Sequence, residues 1–137
     1  MSPPSPYVLV IEAHPDVRVA LQMALEFEFI EVAVASTARE ALEVLVWRGR
    51  PALLMMDAAL PELDRARLVR LLRQEPLLGA VPIVLLAMED TVGPPDVQAV
   101  LRKPFNLESL YAVVEAHLDA RPDVLPAVHE APARLAL

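Results

Sequence analysis

The stretch 53–61, LLMMDAALP, decides the fold, because an apolar run ends there in Asp57 and a loop leads on to Pro61. With Ala52, the run has the length and the continuous apolar character of a strand that is buried on both faces of a parallel sheet. In a doubly wound sheet, chemistry collects at the carboxyl ends of the strands. Asp57 is therefore the first candidate for a functional residue.

The only lysine of the chain, Lys103, lies downstream in the stretch 100–105, VLRKPF. Every other basic side chain, apart from histidine, is an arginine. Lysine is a compact, flexible point charge with three donors, and it suits a small carboxylate or phosphoryl target better than the planar arginine fork does. A further apolar run, Tyr7–Ile11, also leads into an acid, Glu12. We expect Glu12, Asp57 and Lys103 to meet at one edge of the sheet.

Outward from these stretches, the chain alternates strand-length apolar runs with segments of helical periodicity. The predicted strands are Tyr7–Ile11, Phe29–Ala35, Ala52–Met56, Pro82–Ala87 and a fifth that follows a short turn at Val97–Leu101. The predicted helices have as caps Asp16, Ser36 or Thr37, Asp64, and Asn106. This order predicts an α/β fold, a doubly wound five-stranded parallel sheet with helices on both faces.

Composition excludes several classes of function. The chain has 137 residues, is 55% hydrophobic and 23% charged, and so predicts one globular domain. A net charge of −7 argues against nucleic acid as a partner, and the three glycines do not form a phosphate-binding loop. There is no cysteine, no apolar run of membrane-spanning length and no signal-peptide pattern, so we expect a cytoplasmic protein that acts away from the membrane.

Side chains outside the strand ends receive structural interpretations. Trp47, Tyr7 and Tyr111 are predicted to be packing residues. Four arginines recur along the third helix and predict a solvated face, with a patch for an acidic partner as the alternative: Arg65, Arg67, Arg70 and Arg73.

The domain is predicted to cover residues 7–120, between a disordered N-terminus (1–6) and a Pro/Ala-rich tail (121–137). The tail is either a frayed end or a docking segment that uses Val124, Leu125, Val128 and Leu135.

The pairing of Asp57-x-x-x-Pro61 with Lys103-Pro104-Phe105 in this topology resembles the receiver domain of two-component response regulators, over about Tyr7–Leu118. The resemblance implies the flavodoxin-like (CheY-like) form of the doubly wound sheet. It also implies that Asp57 accepts a phosphoryl group from a histidine kinase, with Lys103 as the partner of the acid or the phosphoryl group. Mg²⁺ would be held by Glu12, Asp57 and the backbone carbonyl of Ala59.

The sequence departs from the family pattern at several positions. Ala13 stands where a second acid would bind the metal, Ala87 replaces a hydroxyl at the end of the fourth strand, and Val100 replaces the switch aromatic. We therefore expect an atypical receiver with weak or absent Mg²⁺ binding. His14 or Asp16 could stand in as a ligand. The short connection from Ala87 to Lys103, which contains Gly93-Pro94-Pro95, predicts a shortened fourth helix.

The leading functional hypothesis is a stand-alone receiver-like signalling protein that acts by protein–protein interaction, with impaired or absent phosphorylation at Asp57. The surfaces expected to carry it are the first helix, the last helix and the segment 88–99. One alternative is a functional phosphoacceptor for a histidine kinase, which would be enzymatic only in phosphorylating itself. Another is a structural domain that forms a homodimer.

Overall fold

The computed structural model describes residues 6–88 and 97–118, which form one parallel sheet with helices on both of its faces. The strands are β1 (Val8–Ile11), β2 (Val32–Ala35), β3 (Leu53–Asp57), β4 (Ile83–Ala87) and β5 (Ala99–Arg102). The helices are α1 (Pro15–Phe27), α2 (Ala38–Arg48), α3 (Glu62–Gln74) and α4 (Leu107–Leu118). The strand order is β2-β1-β3-β4-β5, and every neighbouring pair is parallel. The predicted five-stranded, doubly wound fold is confirmed.

Successive residues along a strand face opposite sides of the sheet, so each strand contributes side chains to two separate cores. Leu9 and Met56 belong to the core under α2 and α3, whereas Val10 and Met55 belong to the core under α1 and α4. Both sets are almost completely inaccessible to solvent. This double coverage is the physical reason why β1, β3 and β4 are continuous apolar runs.

The register of the strands determines which residues lie side by side at the carboxyl edge of the sheet. Ile11 pairs with Met56, so Glu12 and Asp57 lie side by side just beyond that pair. Ala87 pairs with Arg102 at the end of β5, and the next residue is Lys103. The three predicted residues therefore leave the sheet at its carboxyl edge.

Two of the predicted helix caps are confirmed. The Thr37 hydroxyl accepts from the Glu40 N–H at 3.1 Å, and the Asn106 side chain accepts from the Ser109 N–H at 2.8 Å. The expectation that Asp16 and Asp64 are caps was wrong. The N-cap of α1 is His14 and that of α3 is Pro61, so both aspartates lie inside the first turn. There their negative charges interact favourably with the positive end of the helix dipole.

The second strand begins three residues later than predicted, because the chain first closes α1. Ile30 donates to the Leu25 carbonyl and Phe29 to the Glu26 carbonyl, with Phe29 in the left-handed region at φ 61°. This is the Schellman pattern of helix termination, here without the usual glycine. Residues 29–31 are therefore part of a helix end and not of a strand.

The three aromatic residues that were predicted to pack differ in how deeply they are buried. Tyr7 is buried, and the Tyr111 hydroxyl donates to the Ala24 carbonyl at 2.9 Å, as expected for packing residues. The expectation for Trp47 was wrong, since this side chain is 87% exposed. Trp47 lies two residues after the buried Leu45 on α2, so its side chain leaves the helix on the side that faces away from the core.

Some expectations concern residues outside the described part of the chain. These are the shortened fourth helix, whose segment includes 89–96, most of the N-terminus, and the tail from 119 onward. Within the described ranges, no helix has both the length and the apolar character needed to cross a membrane.

Candidate functional site

Three charged side chains are buried together at the carboxyl edge of the sheet. Glu12 and Asp57 are almost fully inaccessible, and Lys103 is nearly so. The Lys103 Nζ lies 2.6 Å from Glu12 Oε1 and 3.2 Å from Asp57 Oδ1. The structure thus brings together the three residues that the strand ends predicted, with one ammonium bridging two carboxylates.

Backbone N–H groups complete the environment of Asp57. Ala59 donates to Oδ1 at 2.8 Å, and Ala13 donates to Oδ2 at 3.3 Å. Both carboxylate oxygens therefore have donors from the chain itself. The loop after β3 supplies one of them and the loop after β1 the other.

Glu12 is held in the same way. Its Oε2 accepts from the His14 N–H at 2.9 Å, while Oε1 is the atom closest to Lys103. A fully buried carboxylate needs such partners, because an unpaired one would be strongly destabilising.

The two carboxyl groups have pKa shifts of opposite sign. Burial raises the pKa of Glu12 above its ordinary value of 4.5, against the opposing effect of Lys103. Burial acts in the same direction on Asp57, but the N–H groups of Ala59 and Ala13 and the charge of Lys103 outweigh it, so the pKa of Asp57 lies below its ordinary 3.8. Asp57 is therefore the more strongly ionised of the two, and Glu12 takes up a proton first as the pH falls.

This difference predicts a pH-dependent effect of Glu12→Gln. A carboxyl group whose folded-state pKa is raised stabilises the fold below its ordinary value of 4.5, and that contribution is lost as the pH rises through the folded pKa. Because glutamine does not titrate, the variant should gain stability relative to wild type as the pH rises. The gain should be about 1.4 kcal/mol for each tenfold difference in proton affinity of Glu12 between the folded and unfolded states. Urea unfolding of both proteins between about pH 4 and 8 measures the difference.

The matched control for that experiment is Glu43→Gln, which changes an exposed glutamate. Its unfolding free energy should follow that of the wild type at every pH. A constant offset between Glu12→Gln and wild type over the same range would contradict the raised pKa of Glu12.

Sequence reasoning missed Arg18, which fixes the loop between β1 and α1. Its Nη1 donates to the Glu12 carbonyl at 2.9 Å and to the Ala13 carbonyl at 3.5 Å. A second cation therefore stands beside the acidic pocket, directed at backbone oxygens. The sequence shows only an arginine one turn into the helix that follows an acidic strand end. That pattern does not reveal which atoms accept hydrogen bonds from the arginine.

The three positions that depart from the family pattern lie around this cluster. The Ala13 methyl stands at the pocket mouth, since its own N–H reaches Asp57. Ala87 ends β4 as a buried methyl, and its carbonyl accepts from the Lys103 N–H at 2.6 Å. Val100 packs on the core under α2 and α3.

His14 and Asp16 do not join the cluster. Both are exposed, and the His14 ring accepts from the Asp16 N–H at 3.2 Å as the helix cap. In the part of the chain that the structure describes, no group of three or more histidine, aspartate or glutamate side chains has a metal-binding arrangement.

Comparison with known proteins gives consistent results. The model of the response regulator receiver domain family matches residues 8–115. The chain is 39% identical over 102 residues to an uncharacterized 14.6 kDa protein encoded in the sodA1 3′ region of Leptolyngbya boryana, covering 72% of this chain and 73% of that protein.

Two further relatives extend the comparison. Response regulator MprA of Mycobacterium leprae is 33% identical over 117 residues, which cover 81% of this chain and 50% of MprA, so the chain spans about half the length of that relative. Among solved structures, a response regulator receiver protein from Burkholderia phymatum has a TM-score of 0.71 at 27% identity, covering 84% of this chain and 96% of that one.

Proposed function

This chain belongs to the response regulator receiver domain family, and we propose that it serves a two-component-type pathway through protein–protein interaction, with phosphorylation at Asp57 impaired or absent. Its partner would be a histidine kinase or another signalling protein. Receiver domains are signalling modules, and we propose no enzymatic activity beyond self-phosphorylation at Asp57.

One observation supports the proposal above all: Lys103 bridges both acids of the pocket, at 2.6 Å from Glu12 and 3.2 Å from Asp57. The ammonium already neutralises charge that a metal ion would otherwise neutralise. Two carboxylates and one ammonium leave a single negative charge, and Ala13 adds none.

The residues present fit Mg²⁺ poorly. That ion requires near-octahedral oxygen ligation and gives up its waters reluctantly, so it needs carboxylate oxygens that face it directly. Both oxygens of Asp57 accept backbone N–H groups, and each oxygen of Glu12 faces a donor. Beyond them, the Ala59 carbonyl is the remaining ligand that we propose. Weak or absent Mg²⁺ binding follows from this donor set.

The response to phosphorylation would also be limited. With a methyl group at Ala87, no side-chain hydroxyl at that strand end can hydrogen-bond a phosphoryl oxygen on Asp57. With Val100 on β5, no aromatic ring is present at that position to change its packing. We infer that recognition by a partner depends on the surface as it stands without phosphate.

Intact mass after incubation with acetyl phosphate and Mg²⁺ tests the proposal. We expect the wild-type mass to stay unchanged, or to gain a phosphoryl group in a small fraction of molecules, under conditions that label an ordinary receiver domain to completion. The Asp57→Asn variant defines the background. Stoichiometric addition to the wild type that is absent from this variant would overturn the proposal.

That outcome would establish the alternative function, a working phosphoacceptor. One feature of the site favours it: Ala59, Ala13 and Lys103 all donate to the carboxylate of Asp57, which stabilises its charged form and keeps its pKa below the ordinary value despite burial. An ionised carboxylate is the form that acts as a nucleophile. In this case labelling should require Mg²⁺ and should be lost in Asp57→Asn.

A further inference from the structure

The outer face of α1 carries an apolar ridge that nothing in the described chain covers. Val19, Met23 and Phe27 repeat every four residues, so they lie in line along the helix, and their exposed fractions are 51%, 65% and 76%. Asp16 and Glu26 are exposed on the same face. We call these five residues the α1 ridge, which is apolar along its length, with Asp16 in line at its N-terminal end and Glu26 at its side.

A groove lies on the other side of the molecule, between α2 and α3. It has a volume of about 330 Å³ and is lined by the apolar side chains of Leu42, Leu68 and Leu71 together with Arg39, Arg67 and Asp64. Leu42 and Leu71 are both exposed, at 36% and 46%. We call this feature the α2–α3 groove.

The groove is basic in a protein that is otherwise acidic. Its two arginines outnumber its one aspartate, while the whole chain has a net charge of −7. Arg70 is exposed one turn beyond Arg67 on α3 and adds to the positive charge. By contrast, Arg65 donates to the Leu60 carbonyl and Arg73 to the carbonyls of Gly79 and Val81.

We propose that the α1 ridge of one molecule docks into the α2–α3 groove of a second copy of this chain. Two features make the two surfaces complementary: an apolar line of exposed side chains meets a groove with apolar lining, and acids meet arginines. Exposed apolar surface with rims of opposite charge is what a protein interface requires, with the charges setting orientation and rate of encounter. The proposal does not depend on the chemistry of Asp57.

The position of the two surfaces fixes the kind of assembly. The core under α1 and the core under α2 and α3 lie on opposite faces of the sheet. A contact between different patches is heterologous, so it leaves a free ridge at one end and a free groove at the other. The assembly therefore grows head to tail, as an open chain or a closed ring, and does not stop at a symmetric dimer.

Two variants of the full chain test this geometry. Met23→Ala with Phe27→Ala truncates the two most exposed apolar side chains of the ridge. Arg39→Glu with Arg67→Glu makes the groove acidic like the ridge it would meet. The altered side chains are exposed, so the fold should be unaffected. Glu43→Arg with Trp47→Ala is the matched control, because these exposed residues of α2 do not line the groove.

Sedimentation velocity over a concentration series gives the readout. Wild type and control should show an average mass that rises with concentration beyond that of a dimer, and each test variant alone should associate at least about tenfold more weakly. An equimolar mixture of the two variants should form a 1:1 dimer and nothing larger, because one intact ridge meets one intact groove.

Three outcomes would overturn the proposal. A wild type that stays monomeric at all concentrations would show that the surfaces do not bind each other. Self-association that survives in the groove variant but not in the ridge variant would indicate a symmetric α1–α1 dimer. A mixture of the variants that stays monomeric would show that ridge and groove are not partners.

Discussion

Lys103→Met should destabilise the fold by about 3–5 kcal/mol at neutral pH, because it leaves two buried carboxylates without their shared cation. The lysine lies within 3.2 Å of both acids, and neither Glu12 nor Asp57 has access to solvent that could replace it. The backbone donors from Ala13, His14 and Ala59 remain, but N–H dipoles do not neutralise two charges. Urea unfolding monitored by circular dichroism measures the loss.

The pH dependence separates this electrostatic effect from a simple loss of packing. Burial already raises the pKa of Glu12, so lowering the pH protonates this group first and removes one of the unpaired charges. The difference between Lys103→Met and wild type should therefore shrink as the pH falls toward the ordinary value of 4.5 and grow as it rises.

A surface variant provides the comparison. Arg70→Met removes an exposed positive charge from α3 and should change stability by no more than about 0.5 kcal/mol. If Lys103→Met behaved like Arg70→Met, or if its effect were the same at every pH, the ammonium would not be what stabilises the two carboxylates.

The sequence predicts much of the fold because its strands leave little choice. Runs such as Leu53–Met56 must be buried on both faces, and their alternation with helical periodicity permits one doubly wound sheet. It predicts the meeting of Glu12, Asp57 and Lys103 for a related reason. Each lies where a strand ends, and parallel strands end at a common edge.

The finer contacts could not be predicted, because they depend on loop geometry and not on residue type. The N–H groups of Ala13 and Ala59 point at Asp57 only once both loops have their folded conformation. Arg18 finds backbone carbonyls as acceptors, and any residue could have supplied those. The same limit explains the late start of β2, which follows from the conformation of Phe29.

The exposure of Trp47 was also predicted wrongly. A tryptophan is most often a packing residue, but the position of Trp47 on α2 lies opposite the buried line formed by Ala41 and Leu45. Helical spacing contains that information, and residue type by itself does not. The α1 ridge follows from the same spacing, since Val19, Met23 and Phe27 lie opposite Leu21 and Leu25.

Ala13→Asp should convert the pocket into one that binds Mg²⁺. Residue 13 is exposed at the pocket mouth, with its N–H 3.3 Å from Asp57 Oδ2, so a carboxylate there would stand beside the two existing acids. One ammonium would then face three negative charges instead of two. Without a divalent ion the variant should be less stable than wild type, because like charges in a partly buried site repel one another.

Added Mg²⁺ should reverse that loss. We expect the affinity to be at least about tenfold higher than in wild type, and an ion concentration of about a hundred times the Kd should stabilise the variant by about 2.7 kcal/mol. Thermal unfolding with and without Mg²⁺ measures this without any phosphorylation step. The intact-mass experiment with acetyl phosphate should then show labelling that Asp57→Asn removes.

Ala13→Asn is the decisive comparison, since it has nearly the same shape as Ala13→Asp but no charge. If the missing charge at position 13 limits metal binding, the asparagine variant should gain little stability from Mg²⁺ and should remain unlabelled. If the two variants behaved alike, the weak Mg²⁺ binding would have another cause, namely the ion pairs that Lys103 forms with Glu12 and Asp57. Combining Ala13→Asp with Lys103→Met would then test that explanation, because it frees both carboxylates at once.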